Sequence, residues 1–366
     1  MKSSLYDIKE LGFVPPKFGG VSVSIARLIN KLTADGFIVG GFYTSENKDS
    51  RILLSELYEP ELNLSTKTIL WHLPVCLRVL APYKVLHSHY SLEHMIYIWC
   101  FLHLLHKKIV ITVHNSMVQS FYRECDFINR FFLKHVARNS NVTWVSVSEQ
   151  AKVEMLKLTI KFKNTIHVIP AYIPDGRDVT GVLPKSLQEY IDKHKKILVF
   201  YGHSFMFHDG KDVYGFNDAL SLYAEMLKKT RLPIGLVLCL TETSDTYKIK
   251  SLQIKAHQLE IDDKIYWQLG PIEEMKNLWN KTDVYIRPTC TDGDSVAVRE
   301  ALDLGVQVVA SDVCPRPPKT MVYHYGDMSD FVGKVSNAIE IGHVSANPDY
   351  SNYHKLKNLY SQILNS

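Results

Sequence analysis

The stretch DVYIRPTCTDGDSVAVREALDLGVQVVASD, Asp283–Asp312, is the part of the chain whose residue types and spacing best suit chemistry. A strand ending at Pro288 runs through a short polar loop containing Gly293 into a helix whose N-cap is Asp294 or Ser295. The free amides at such a helix start, beside a glycine, suit an anion or a hydroxyl group. Gly305 is placed to end the helix in a left-handed turn, and a second strand follows at once. Glu300 lies four residues after Val296 and four before Leu304, which puts a carboxylate on the core side of the helix. A buried carboxylate is costly unless something pairs with it. Two readings fit: a ligand for bound hydroxyls, or an ion pair with Arg299, Arg287 or another base.

Three further places carry candidates. In VPPKFGGVSVSIARLINKL, Val14–Leu32, the pair Gly19 and Gly20 lets backbone approach a ligand closely just before a helix. That helix has Ile25, Leu28, Ile29 and Leu32 on one face; the plain alternative for the glycines is a turn. His114, in ITVHNS, ends a buried strand, where an imidazole serves either a crevice or the core. His87 and His89, in HSH, project to the same face, so a metal pair is conceivable, although no third ligand stands at a suggestive spacing. In VFYGHSFMFHDGKDVYGFNDAL, Gly202 and His203 close a strand, and Lys211 precedes a helix starting near Asn217. Lys211 reads as a phosphate ligand or as an exposed loop lysine.

These residues need a scaffold that brings strand ends together. Strand-like runs alternate with helix-like runs throughout, among them Phe37–Tyr43, Lys84–Tyr90, Lys108–His114, Val142–Ser148 and Thr165–Pro170 in the first half. The second half has Lys196–Gly202, Ile234–Leu240, Lys264–Gly270, Asp283–Thr289 and Val306–Ser311. Most are continuous apolar runs, the mark of strands in parallel sheets covered on both faces. The pattern restarts near Lys195, after a segment rich in Pro, Gly and Asp at Ala171–Ser186 that reads as a linker. The expectation is two doubly wound α/β domains, with ligands bound outside the carboxyl ends of the strands.

Within that frame, an acid followed by Gly, a small run, and Glu-Ala eight positions after the first acid resembles the nucleotide-sugar signature of family 4 retaining glycosyltransferases. The resemblance covers most of the chain. It implies a GT-B fold of two Rossmann-like domains facing a cleft: residues 1–175 on the acceptor side, 187–345 for the nucleotide sugar, and 346–366 as a helix crossing back. It places Glu300 on the ribose, and Asp292, Gly293, Asp294 and Ser295 in the donor-sugar loop. The family more often has Glu at position 292 and an aromatic at position 294. Gly19 and Gly20 resemble the loop presented to the donor diphosphate, and His114 the active-site histidine near the donor sugar. His203 stands where the family has a phosphate-binding arginine, after Gly202, and Lys211 where it has a phosphate-binding lysine. His114, Asp292 and Lys211 are thus the catalytic candidates. The resemblance implies a nucleotide-diphosphate sugar as donor, with UDP and GDP as leading bases, no obligatory metal or cofactor, and a glycan or lipid-linked acceptor in surface polysaccharide synthesis. A sugar-nucleotide epimerase or hydrolase, or a degenerate donor-binding subunit, is the alternative.

Composition is that of a soluble globular protein. Of 366 residues 46% are hydrophobic and 22% charged, which excludes a disordered or rod-like chain. The first 180 residues carry a charge of +6 and the rest −2, too weak a bias for nucleic acid; it suits either an acidic lipid or anionic substrate, or a solvated face with no partner. Six scattered cysteines form no metal or disulfide pattern and suit a reducing, cytoplasmic setting. The longest nearly uncharged run, Met95–His106, is too short to span a bilayer. It is either a buried helix or an element for peripheral membrane contact.

Overall fold

Continuous apolar runs become parallel strands in two sheets of six, and each sheet belongs to its own unit. The computed structural model describes residues 6–12, 20–41, 69–89, 95–114, 118–176, 181–272 and 275–366. One unit comprises Met1–Asp175 with Tyr350–Ser366, the other Gly176–Asp349.

In the first unit, β1 (Tyr6–Leu11), β2 (Val39–Gly40), β3 (Tyr83–Ser88), β4 (Lys108–Val113), β5 (Val142–Ser146) and β6 (His167–Val168) pair in the order β2-β1-β3-β4-β5-β6. Its helices are α1 (Gly20–Ala34), α2 (Ile69–Leu80), α3 (Met95–Leu104), α4 (Val118–Glu124), α5 (Phe127–Ala137) and α6 (Glu149–Leu156). Alternation along the strands sends Ile8, Val85, Val110 and Val145 to the face covered by α1. Leu86, Ile109, Ile111 and Trp144 go to the opposite face, against α3 and α5.

The second unit has α7 (Lys185–Asp192), β7 (Lys196–Gly202), β8 (Phe207–His208), β9 (Lys211–Asp212), α8 (Phe216–Lys229), β10 (Ile234–Leu240), α9 (Thr246–Gln258) and β11 (Ile265–Leu269). It continues with α10 (Met275–Trp279), β12 (Val284–Arg287), α11 (Val296–Asp303), β13 (Gln307–Ser311), β14 (Met321–Tyr323) and α12 (Met328–Ile341). Its sheet runs β11-β10-β7-β12-β13-β14, the strand order of a dinucleotide-binding fold. Leu198, Phe200, Leu238 and Ile286 meet α8 and α12, while Val199, Val237, Tyr285 and Val308 meet α7 and α11. A last helix, α13 (Ser351–Asn365), packs in the first unit beside α1 through Tyr353, Leu356, Leu359 and Tyr360. Tyr353 and Lys357 both reach Asp35 at 2.6 Å and fix its register.

In each sheet the order in which the chain lays down its strands reverses once. The reversal lies between β1 and β3 in the first unit and between β7 and β12 in the second. Such switch points open a crevice at the carboxyl ends of the strands. Glu10 and His87 lie on β1 and β3 at one of these points; at the other, Gly202 ends β7 and the loop after Arg287 follows β12.

Three features depart from the sequence expectation. The segment SLYDIKELGF, a poor strand on its charges, contains β1, which lies between two partners in the sheet. Lys9 and Glu10 are buried within it: Lys9 Nζ donates to the Gly41 carbonyl at 3.2 Å and lies over the Tyr83 ring. Of the two readings of Met95–His106, the buried helix is the one found: in α3 Met95, Tyr97, Ile98, Cys100, Phe101 and Leu102 are buried. The linker ends earlier than Ser186, because α7 begins at Lys185. Lys211 belongs to a strand, β9, of a two-strand hairpin whose Asp209-Gly210 turn has φ of 48° and 73°. No described helix is long and apolar enough to cross a membrane.

Candidate functional site

At the switch point of the second unit, Asp292 is gripped by two arginines. Arg287, the last residue of β12, donates from Nε to Oδ2 at 3.0 Å and from Nη2 to Oδ1 at 3.1 Å. Arg316 Nη1 donates to Oδ2 at 2.6 Å, and the same guanidinium reaches the Ser311 carbonyl, Ser311 Oγ and Thr289 Oγ1. All three charged side chains are at most 10% exposed. Burial favours the neutral acid, but the adjacent guanidiniums outweigh it and hold the Asp292 carboxyl below its usual value. Arg287 also donates to the Tyr285 hydroxyl and the Tyr201 carbonyl and packs over the Tyr214 ring. Asp292 Oδ1 in turn accepts the Gly293 amide at 3.0 Å, so the ion pairs fix the loop.

Beyond this clamp the loop is open. A Cβ built on Gly293 would meet nothing within 4 Å. Ser295 caps α11, accepting the Val298 amide. Asp294 accepts from Arg299 Nε at 2.6 Å through Oδ1, while its buried Oδ2 has no hydrogen-bond partner among the described residues. Burial raises the Asp294 carboxyl despite Arg299. A carboxyl with a raised pKa and a spare oxygen can exchange hydrogen bonds with a hydroxyl group. Glu300 departs from its expected place: Val298 and Ala301 form the buried stripe of α11, and Glu300 is half-buried at its edge. Its Oε2 accepts the Trp279 indole N–H at 3.1 Å, whereas Arg299 and Arg287 hold Asp294 and Asp292.

Two glycines bring the start of α8 against the strand ends. A Cβ on Gly202 would lie 2.5 Å from the Phe216 ring, and Gly215, at φ 76°, would press its own onto the Pro288 carbonyl. Asp212 caps this helix, accepting the amides of Tyr214 at 3.0 Å and Phe216 at 2.7 Å. His203 is half-buried, its carbonyl accepting the Glu242 amide at 2.7 Å. Lys211 is exposed, with its ammonium 5.4 Å from the centre of the Tyr325 ring. Gly202, His203, Gly293, Asp294, Ser295 and Glu300 thus share one unit and its strand-end loops and helix starts.

At the switch point of the first unit, Glu10 on β1 faces its register partner His87 on β3. Glu10 Oε2 lies 2.9 Å from His87 Nδ1 and 2.8 Å from His89 Nε2, and Oε1 accepts from the Tyr360 hydroxyl of α13 at 3.0 Å. That hydroxyl also contacts His87 Nδ1, and His87 Nε2 meets Thr112 Oγ1 at 2.7 Å. His89 Nδ1 lies 2.8 Å from His114 Nε2, just past the end of β4. Burial alone would raise the Glu10 carboxyl, yet the His87 ring and the hydrogen bonds from His87 and His89 lower it to about 2. Burial lowers His89 to about 4 and takes His114 well below its usual value, keeping both rings neutral near pH 7. Glu10, His87 and His89 place three donor atoms close enough to share a metal ion. Ser24, Thr112 and Asn352 join the three histidines around a small cavity of about 20 Å³, room for one water or one hydroxyl. Gly20 opens α1, and Gly19 lies outside the described residues.

Glu10, Arg316 and Trp279 are not among the residues that sequence spacing singles out. Glu10 is separated from its histidines by most of two βα units. The signal for Arg316 was near at hand: an arginine five residues past the end of β13, a strand beside the loop.

Residues 18–177 match Glycosyltransferase Family 4. No curated protein matches the sequence. Among solved structures, a glycosyltransferase from Rickettsia africae aligns at a TM-score of 0.70 with 14% identity, covering 98% of each chain. Anabaena HepE, solved with UDP and glucose, aligns at 0.68 with 11% identity, covering 97% of this chain and 100% of the other. Sucrose-phosphate synthase from Thermosynechococcus elongatus aligns at 0.66 with 14% identity, covering 98% and 99%. Two Rossmann-like units of this kind are the GT-B fold.

Proposed function

From a chain that belongs by fold with the GT-B glycosyltransferases, and whose residues 18–177 match family 4, we infer a retaining glycosyltransferase that takes its sugar from a nucleotide-diphosphate donor. The observation that carries this reading is the strand-end loop Asp292–Ser295 leading into α11, with an open side at Gly293 and a buried Asp294 oxygen that has no partner among the described residues. In this reading Glu300 accepts hydrogen bonds from the ribose hydroxyls, and the Trp279 indole keeps its carboxylate aimed. Asp294, Ser295 and the Gly293 loop hold the donor sugar. Asp292 acts one step back, fixing that loop through Arg287 and Arg316. Lys211, with His203 beside Gly202 and the amides of Gly19 and Gly20, meets the diphosphate as it leaves, and His114 orients the sugar. These protein groups take the part that a divalent metal plays in other transferases. UDP is the first donor base to test, since HepE was solved with UDP.

The acceptor in this proposal is a glycan or lipid-linked oligosaccharide of surface polysaccharide synthesis, met at a membrane by the first unit. Support comes from α5, where Phe127 and Phe131 are 76% and 56% exposed and Ile128 is 38% exposed, beside exposed Lys134 and Arg138. Apolar rings flanked by cations suit an anionic lipid interface on the cytoplasmic side.

The deciding experiment measures binding and slow hydrolysis of UDP-, GDP-, ADP- and CMP-sugars, with Glu300→Ala as the site control. One nucleotide class binds and is turned over, and Glu300→Ala weakens it at least tenfold. Binding of none, or equal binding by Glu300→Ala, refutes the assignment. Donor consumption without transfer to any acceptor would instead identify a hydrolase or epimerase.

A further inference from the structure

The chain Glu10–His89–His114 has a direction. Glu10 is met by three groups able to donate, the Tyr360 hydroxyl, His87 and His89, and offers them only oxygen lone pairs when ionised. His89 therefore carries its hydrogen on Nε2, toward Glu10. In a neutral imidazole the other nitrogen is then an acceptor. His89 Nδ1 lies 2.8 Å from His114 Nε2, so the hydrogen between them belongs to His114 Nε2. His114 is left with its lone pair on Nδ1.

We propose that Glu10, acting through His89, locks His114 as the Nε2–H tautomer, so that His114 offers Nδ1 as a hydrogen-bond acceptor to one hydroxyl group of a bound sugar. Glu10 and His89 are positioning residues in this arrangement. His87 is anchored separately, by Thr112 and Tyr360, and buttresses the opposite side of Glu10. A small cavity of about 20 Å³, lined by Ser24, Thr112 and Asn352 with His87 and His89, adjoins His114. An acceptor nitrogen on His114 selects a group that can donate, and disfavours a carboxylate or a deoxy carbon.

A metal is the competing use of the same residues. Tetrahedral zinc with bonds of about 2.0–2.1 Å sets its ligand atoms roughly 3.3 Å apart. Glu10 Oε2 stands 2.9 and 2.8 Å from the two nitrogens, the separation of charge-assisted hydrogen bonds. His87 Nδ1 is also engaged by Tyr360. The geometry favours protons over a cation.

The sugar as occupant rests on the proposed glycosyl transfer, whereas the tautomer does not, and the experiment separates them. Histidine side-chain nitrogens of the ¹⁵N-labelled full chain are recorded near pH 7.5 without donor or acceptor, and His114 is assigned by the signals lost in His114→Gln. His114 shows a protonated Nε2 and a bare Nδ1 in the wild-type protein. A protonated Nδ1, a charged ring, or a metal-shifted His89 Nε2 with a stoichiometric divalent ion in the purified protein overturns the proposal. In Glu10→Gln the amide can present either a donor or an acceptor, so His114 becomes a mixture of tautomers; an unchanged His114 in that folded variant also overturns it. The wild-type measurement stands even where Glu10→Gln does not fold. If the tautomer is found and Glu10→Gln transfers sugar with unchanged kcat and KM, the sugar assignment alone fails.

Discussion

Asp292→Asn removes one negative charge and leaves two buried guanidiniums facing an amide. The carboxylate accepts three charge-assisted hydrogen bonds, at 3.0, 3.1 and 2.6 Å. Asparagine keeps the shape but only one accepting oxygen, and its NH₂ group opposes an arginine N–H. Arg316 is 2% exposed at its side chain and Arg287 10%, so water screens neither well. Breaking one partner out of a buried ion pair costs about 3–5 kcal/mol, a large part of the roughly 5–15 kcal/mol that holds a domain folded. Native-state hydrogen exchange of peptides covering β12 and β13 reads this loss where it occurs. A loss of about 3 kcal/mol accelerates their exchange on the order of a hundredfold, at about 1.4 kcal/mol per factor of ten. The double variant Asp292→Asn with Arg316→Met removes one stranded cation and recovers part of the protection. Acceleration under tenfold in the single variant, or a double variant worse than the sum of both singles, would refute the clamp. Asp292 would then be free to touch the donor directly.

Three other outcomes follow from named contacts. Stability falls on acidification: His89, lowered to about 4, and His114, also lowered, stay neutral in the fold while the unfolded chain takes up protons below about pH 6.5. Down to about pH 4 His89 alone removes about 3 kcal/mol, and as Glu10, held at about 2, is protonated in the unfolded chain below about pH 4.5 the decline continues; urea midpoints at pH 7 and pH 5 check the sign, and a flat profile contradicts it. Phe127→Ser with Phe131→Ser weakens sedimentation with anionic vesicles at least tenfold, since burying each ring is worth about 1.5–3 kcal/mol, and leaves donor binding in solution intact. Gly215→Ala meets both a φ of 76° and the Pro288 carbonyl, so it lowers the melting temperature of the second unit by several degrees, at least about 1 kcal/mol, where a change at open Gly293 does not.

What could be read in the sequence divides according to how local the responsible interaction is. Runs such as Ile234–Leu240 declare a doubly covered strand by themselves, because every residue is buried whichever face it points to. Ser295 and Gly305 declare the ends of α11 for the same reason: a cap and a left-handed stop act within a few residues. The Asp209-Gly210 hairpin was equally local, and its dipeptide is a turn signal in its own right. β1 is the contrary case. Its Lys9 and Glu10 argue against a central strand until Tyr83, His87, His89 and Tyr360 are brought beside them, the last from 350 residues away. The same holds at the other switch point, where Asp292 reads as an exposed ligand of a polar loop until Arg316 arrives from beyond β13. Both switch points therefore consist of a locally legible shell, strand end and helix start, around a charged centre assembled only by topology. Buried charge is tolerated in such places because the partners converge from several strands, which is also where a crevice opens for a ligand. The residues hardest to place from sequence, Glu10 and Arg316, are thus the ones that set the geometry of those easiest to recognise, His114 and the Asp292 loop.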